Sequence, residues 1–184
     1  MTFLSVKKWL NELDGNIASY DSTYSKDYND AYEDLYDKGI TVLYPGSFKP
    51  MTGGHLDLIN KYAENDFVKH IKVLVGPGIR NGIDQDLAFE IAKTLTSRLK
   101  KVIVEKSKWP SPILAAYKEI AEAKPGVYAL AASTKGEDYN RVLDFTTQHQ
   151  KGGKYYDTVP EGVEVVELPI NVDPKNYSHL RDDE

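Results

Sequence analysis

From residue 39 onward the chain alternates between two hydrophobic rhythms. Short apolar runs bounded by glycine, proline or charged residues read as buried strands at 40–44, 71–75, 101–105, 127–132 and 163–168. Between them apolar positions recur at helical spacing. Helices are expected over 54–65, 84–99, 111–123 and 137–149. Asp84 is placed to cap the second of these, whose apolar face is Leu87, Ala88, Ile91, Ala92, Leu95 and Leu99. Pro112 sits in the first turn of the third, where its missing N–H is harmless. The alternation predicts an α/β fold. It should be a Rossmann-like, doubly wound parallel sheet of about five strands with helices on both faces. In such sheets ligands bind beyond the carboxyl ends of the strands, where the strand order reverses.

Residues 1–38 follow a different pattern. They are acidic, rich in Tyr, Asp, Ser and Asn, and nearly free of Val and Ile. Tyr20, Tyr24, Tyr28, Tyr32 and Tyr36 recur every four residues, which on a helix is one slowly drifting stripe. The expected organisation is a helical Tyr-rich extension over 1–38, followed by one domain over 39–184. The stripe either packs on that domain or docks a second copy or another protein, since tyrosine is enriched at interfaces.

Composition narrows the class. The chain has 184 residues, 41% hydrophobic and 28% charged, enough for one sizeable core. A net charge of -5 offers no basic field for nucleic acid. No apolar run reaches the ~18 residues of a membrane span. The charged N-terminal stretch is unlike a signal peptide. Cysteine is absent, which removes disulfides and thiolate metal sites and fits a reducing, cytoplasmic setting. The segment 151–156, with Gly152 and Gly153, is expected to be a mobile loop or a plain surface connection.

The most informative stretch is Tyr44-Pro45-Gly46-Ser47-Phe48-Lys49-Pro50-Met51-Thr52-Gly53-Gly54-His55-Leu56-Asp57-Leu58-Ile59. It follows the first strand and opens the first helix. A helix start presents unpaired N–H groups and the positive end of the dipole, so a glycine-bearing loop there is an anion site. Small residues let a phosphate approach the backbone closely. A histidine at the mouth adds a donor that can be charged.

These residues resemble the first signature of the HxGH/TxGH nucleotidyltransferases. Phosphopantetheine adenylyltransferases carry a similar stretch, with Ser47 at a Thr/Ser position, Thr52 at a His/Thr position, and Gly54-His55 as the Gly-His pair. Lys49 replaces the Asp common in those enzymes. The Ser-Phe-Lys-Pro form is more similar to cytidylyltransferase-like proteins of large tailed phages, which puts the host cytoplasm or a virion among the settings.

The resemblance implies transfer of AMP or CMP from an NTP to a small phosphate-bearing acceptor, with release of pyrophosphate. Mg²⁺ is expected to arrive with the NTP, and no resident metal ligands are assigned. The implied catalytic residues are His55, Thr52 and Lys49. Gly46, Ser47, Phe48, Gly53 and Gly54 would bind the nucleotide phosphates. Ser133 and Lys135, in the loop after the fourth strand, would contact the nucleotide, with Arg141 nearby. Ser47 and Arg80 would hold the acceptor phosphate, Arg80 through a bidentate guanidinium. Trp109 to Pro112 are candidates for a wall of the acceptor pocket. A second family motif with hydroxyls and an arginine is matched only by Ser178 and Arg181. It is either degenerate here or lies beyond the 184 residues.

The alternative is a non-catalytic structural or interaction protein that reuses the fold. A dinucleotide oxidoreductase fits poorly. The first loop is not GxGxxG, and no acidic residue ends the second strand.

Overall fold

Gly39 precedes the first strand in the left-handed region, at φ 65, with the stem of Lys69 packed where a Cβ would stand. The computed structural model describes residues 39–133 and 136–170. The tyrosine stripe of 20–36, Lys135, and Ser178 with Arg181 lie outside the described residues.

The element order is β1 (Ile40–Gly46), α1 (Gly53–Glu64), β2 (Val68–Val75), α2 (Gln85–Thr96), β3 (Val102–Lys106), α3 (Pro112–Ala121), β4 (Gly126–Leu130), α4 (Gly136–His149), a 3₁₀ turn (Tyr156–Thr158) and β5 (Val163–Val166). The five strands form one sheet in the order β3-β2-β1-β4-β5, and every pairing is parallel. This is an α/β, Rossmann-like sheet. The chain builds outward from β1 to β3 and then crosses back to lay β4 on the other side of β1. The order reverses between β1 and β4, so a crevice opens at their carboxyl ends.

Alternating side chains supply two cores. On one face Val42, Val73, Val75 and Ala129 pack against Leu58, Ile59 and Tyr62 of α1 and Ala88 and Ala92 of α2. On the other, Leu43, Leu130 and Val165 pack against Ala116 and Ile120 of α3 and Val142 and Phe145 of α4. The central strands β1, β2 and β4 are therefore covered on both sides, which is why they read as continuous apolar runs, whereas the edge strand β3 leaves Ile103 exposed.

Local chemistry sets the element ends. The Asp84 carboxylate accepts from Leu87 N–H at 2.8 Å, as the sequence predicts for an N-cap. Pro45 lies inside β1, yet β4 stops pairing at the Leu43–Leu130 step, so the missing proline N–H faces the open crevice. β2 starts three residues before the predicted position. Its first residues, Val68 to His70, pair with Ile40 and Thr41 through an irregular step that skips Lys69. The two exposed polar residues there, Lys69 and His70, hide the strand from an apolar-run reading.

The 151–156 segment is pinned rather than free. Tyr155 N–H donates to Gln148 O at 2.9 Å and Gly153 N–H to Gln150 O at 2.8 Å. Tyr155 packs on Tyr117 with ring centroids 4.4 Å apart. A Cβ on Gly153 would stand 2.4 Å from Gln148 O, so the turn requires glycine there.

Candidate active site

β1 delivers the signature loop to the crevice. Gly46, the last residue of β1, accepts from Gly76 N–H at 2.8 Å and so ties the exits of β1 and β2 together. The chain then turns through Phe48, whose φ of 48 is unusual for a bulky residue. Its buried ring folds back over Gly46, where a Cβ would meet it at 2.8 Å. Glycine at 46 is thus needed for internal packing.

Gly54 differs. The nearest atom to a Cβ there is Thr52 Oγ1 at 3.9 Å, and its φ is ordinary. The fold itself has room for a side chain at the second helical position.

Thr52 is the N-cap of α1 and His55 occupies its N3 position. Thr52 N–H donates to His55 Nδ1 at 3.0 Å, and the Thr52 hydroxyl lies 2.9 Å from the same nitrogen. Histidine here does the work that Glu or Gln does in a capping box. A nitrogen that accepts a backbone N–H carries no proton, so the ring proton sits on Nε2. Burial holds the His55 pKa below its ordinary value. His55 is therefore a neutral donor at physiological pH. This corrects the sequence-based expectation of a donor that can be charged. Phe48 braces the ring edge-on, with centroids 5.2 Å apart.

The crevice beside His55 has a volume of about 630 Å³, in the range of small-ligand sites. Tyr44 to Gly46, Phe48, His55 and Leu58 line one side, and Leu130 to Ala132 the other. The start of α3 (Ser111, Pro112, Ile113) and the first turns of α4 (Asp138, Arg141) complete the wall. Burial raises the Tyr44 phenol well above its ordinary range, with Tyr62 and Asp138 adding to the shift, so the phenol remains neutral.

The other predicted site residues separate. Ser47 is half-buried beside the exit of β2. Gly53 is the first residue of α1. Ser133 is buried and its hydroxyl donates to the Asp138 carboxylate at 3.3 Å. Arg141 lies in the wall and pairs with Asp138 at 3.6 Å. Lys49 is neither solvated nor at the crevice surface. Its side chain is 6% exposed, and Nζ donates to Gly76 O at 2.9 Å and Pro77 O at 2.7 Å.

Arg80 is exposed in a tight turn with Asn81 and Gly82 at positive φ, closed by reciprocal Arg80–Ile83 backbone bonds. It does not line the crevice. The wall predicted from Trp109 to Pro112 is half present. Ser111 and Pro112 contribute, whereas the half-buried Trp109 ring lies between the Lys108 and Lys118 ammoniums.

One functional support escaped the sequence reading. Tyr62, fully buried on α1, donates to Leu168 O at 2.6 Å and accepts from Ala132 N–H at 3.1 Å. It fixes the helix that carries His55 to the exit of β4, the opposite wall. The Leu58-Ile59-Tyr62 spacing marks Tyr62 as a core position, and a buried phenol requires a partner.

Among the described residues no group of three or more His, Cys, Asp or Glu side chains converges. The crevice carboxylate of Asp138 is already engaged by Arg141 and Ser133.

No protein-family model matches the chain. Among solved structures it is similar to Plasmodium falciparum nicotinic acid mononucleotide adenylyltransferase complexed with APC. That likeness has 13% identity, a TM-score of 0.41, and covers 73% of this chain and 77% of that one. The same enzyme complexed with NaAD gives 13% identity, a TM-score of 0.36, and coverage of 76% and 79%. Both likenesses are distant.

Proposed function

We propose that the chain is a nucleotidyltransferase that moves AMP or CMP from an NTP to a small phosphate-bearing acceptor. One observation carries this reading: a tautomer-fixed histidine at a helix N-terminus, at the mouth of the crevice where the strand order reverses. An acceptor phosphate oxygen attacks the α-phosphorus in line. The new P–O bond forms as the bond to the bridging α–β oxygen breaks, and pyrophosphate leaves with the electron pair. Charge builds on the equatorial and leaving oxygens, and positioned donors stabilise it.

His55 Nε2–H is such a donor. It gives a hydrogen bond and keeps its proton. Thr52 acts through His55 by holding Nδ1, and Gly53 and Gly54 keep the first turn open for phosphate. Ser47 and the loop N–H of Phe48 are the remaining phosphate donors. The crevice wall of β4 and α4 takes the nucleoside. Any Mg²⁺ enters on the nucleotide's own phosphates, since no group of three or more metal-ligating side chains converges among the described residues.

A thermal-shift panel with ATP, CTP, GTP and UTP, followed by pyrophosphate release with phosphate-bearing acceptors, tests the reading. Stabilisation by ATP or CTP and acceptor-dependent pyrophosphate are expected. A shift with GTP alone, or no nucleotide binding by calorimetry, contradicts it.

A further inference from the structure

Among the described lysines near the sheet, Lys49 and Lys101 are held by backbone carbonyls rather than by a carboxylate, and Lys49 is the more deeply buried of the two. Lys61, Lys72 and Lys106 are each paired with a carboxylate: Asp57, Glu105 with Glu119, and Asp86 respectively. Lys49 is more deeply buried than any of them and has no such pair among the described residues. Its ammonium is held by the carbonyls of Gly76 and Pro77 alone, at 2.9 and 2.7 Å. Carbonyls orient a cation and satisfy its donors, but they leave its unit charge uncompensated. An unpaired buried charge is unfavourable and is tolerated where a ligand completes the pair. The position fits that role. Lys49 lies three residues before the N-cap Thr52, in the loop whose end presents the free N–H groups of α1. Water cannot screen its field there as it screens a surface lysine.

We propose that Lys49 is the built-in counter-charge of the bound polyphosphate, a positioning residue that acts through its field and through the loop it fixes. This rests on the phosphate-site reading of the loop above, but not on transfer chemistry. The two carbonyl bonds anchor the signature loop to the exit of β2, and the charge lowers the energy of a polyphosphate anion wherever that loop receives it. Hydrogen bonding and charge are separable. Glutamine at this position still donates to carbonyls but carries no charge, and methionine removes both.

The test is calorimetric binding of tripolyphosphate, a base-free probe, to the full chain and to Lys49→Gln, Lys49→Met and Lys93→Met. Lys93 is an exposed cation on α2, so its loss is a control for net charge. Lys49→Gln is expected to keep the wild-type urea midpoint and to bind the probe roughly tenfold to a hundredfold more weakly. Its affinity should also depend less steeply on salt. Lys93→Met should bind as the wild type does. In turnover, Lys49→Gln should raise KM for the nucleotide more than it lowers kcat, because the charge acts on bound and reacting phosphates alike. Should Lys49→Met fail to fold, Lys49→Gln alone carries the comparison.

Wild-type affinity in a folded Lys49→Gln protein overturns the proposal, as does a wild-type protein that does not bind tripolyphosphate. Binding that depends on Lys49 without transfer from any NTP leaves the counter-charge intact and refutes the transferase reading. Transfer and binding unaffected by Lys49→Gln do the reverse.

Discussion

His55 and His149 sit at opposite ends of two helices and are locked into opposite tautomers. His55, in the first turn of α1, accepts Thr52 N–H on Nδ1, which leaves Nε2–H as a donor at the crevice. His149, the last residue of α4, places Nδ1 2.7 Å from Phe145 O and so must donate there. Its Nε2 is then a lone pair, buried without a partner. Helix starts offer free N–H groups and helix ends offer free carbonyls, so the helix end alone selects which ring nitrogen carries the proton. Surroundings decide the use. His55 faces a crevice, whereas His149 is 4% exposed, stacks on Tyr117 at 5.0 Å and meets Phe145 edge-on at 4.5 Å. One ring is available to a ligand and the other holds α3 against α4.

The largest contrast is expected from truncating each ring. His55→Ala should lower kcat by about 10²–10³ while nucleotide binding changes little and stability falls only by the lost capping bond, about 1 kcal/mol. His149→Ala should do the opposite, destabilising the fold by about 2–4 kcal/mol in urea titrations, with the kcat of the remaining folded protein near wild type. A stability loss at His55 as large as that at His149, or a kcat loss at His149, removes the distinction.

Acid sharpens it next. Burial lowers both histidine pKa values from 6.5 in the folded state, with the Phe145 carbonyl partly offsetting this at His149. Between the folded value and 6.5 the unfolded chain binds more protons, so stability is complete above about 6.5 and falls as pH drops below it. No counter-charge relieves His149 from the stacked face, since burial and the Asp144 carboxylate push the Tyr117 phenol up to about 12 and keep it neutral. Unfolding midpoints at successive pH values should therefore decline from neutral toward pH 5. His149→Phe should flatten that decline. An equal slope in the variant refutes the assignment to His149.

Two smaller effects address the His55 end. Thr52→Ala removes the cap side chain and should cost about 1 kcal/mol of stability. Its backbone N–H still reaches Nδ1, so kcat should fall less than in His55→Ala. Gly54→Ala should stabilise α1 by about 0.5–1 kcal/mol, because the Cβ meets nothing closer than Thr52 Oγ1 at 3.9 Å and alanine is the better helix former. The same methyl stands in the proposed phosphate approach, so nucleotide affinity should drop although the fold is firmer. Unchanged affinity in that variant, measured by calorimetry, places the phosphate elsewhere.

Much of the frame is legible in the chain because it follows from local chemistry and period. All five strands and four helices of the described region lie within about three residues of their sequence-based bounds. Asp84 and Pro112 act where they were expected, and the crevice opens at the switch point the alternation implies. Thr52 and His55 stood out in the sequence through the signature they resemble, and the structure joins them as the two halves of a capping box.

The sequence could not reveal where long side chains end. Lys49 reaches the β2 exit, 27 and 28 residues along the chain, and Tyr62 reaches Ala132 and Leu168, 70 and 106 residues away. Arg80, read as a phosphate clamp, is instead exposed at a turn away from the crevice. Period, caps and turns are set by neighbours within a few residues, so the sequence alone determined the elements, their order and the anion-ready helix start. Which cation is buried, which ring nitrogen is free and which wall completes the crevice depend on packing partners far along the chain. Only the tertiary structure decides those.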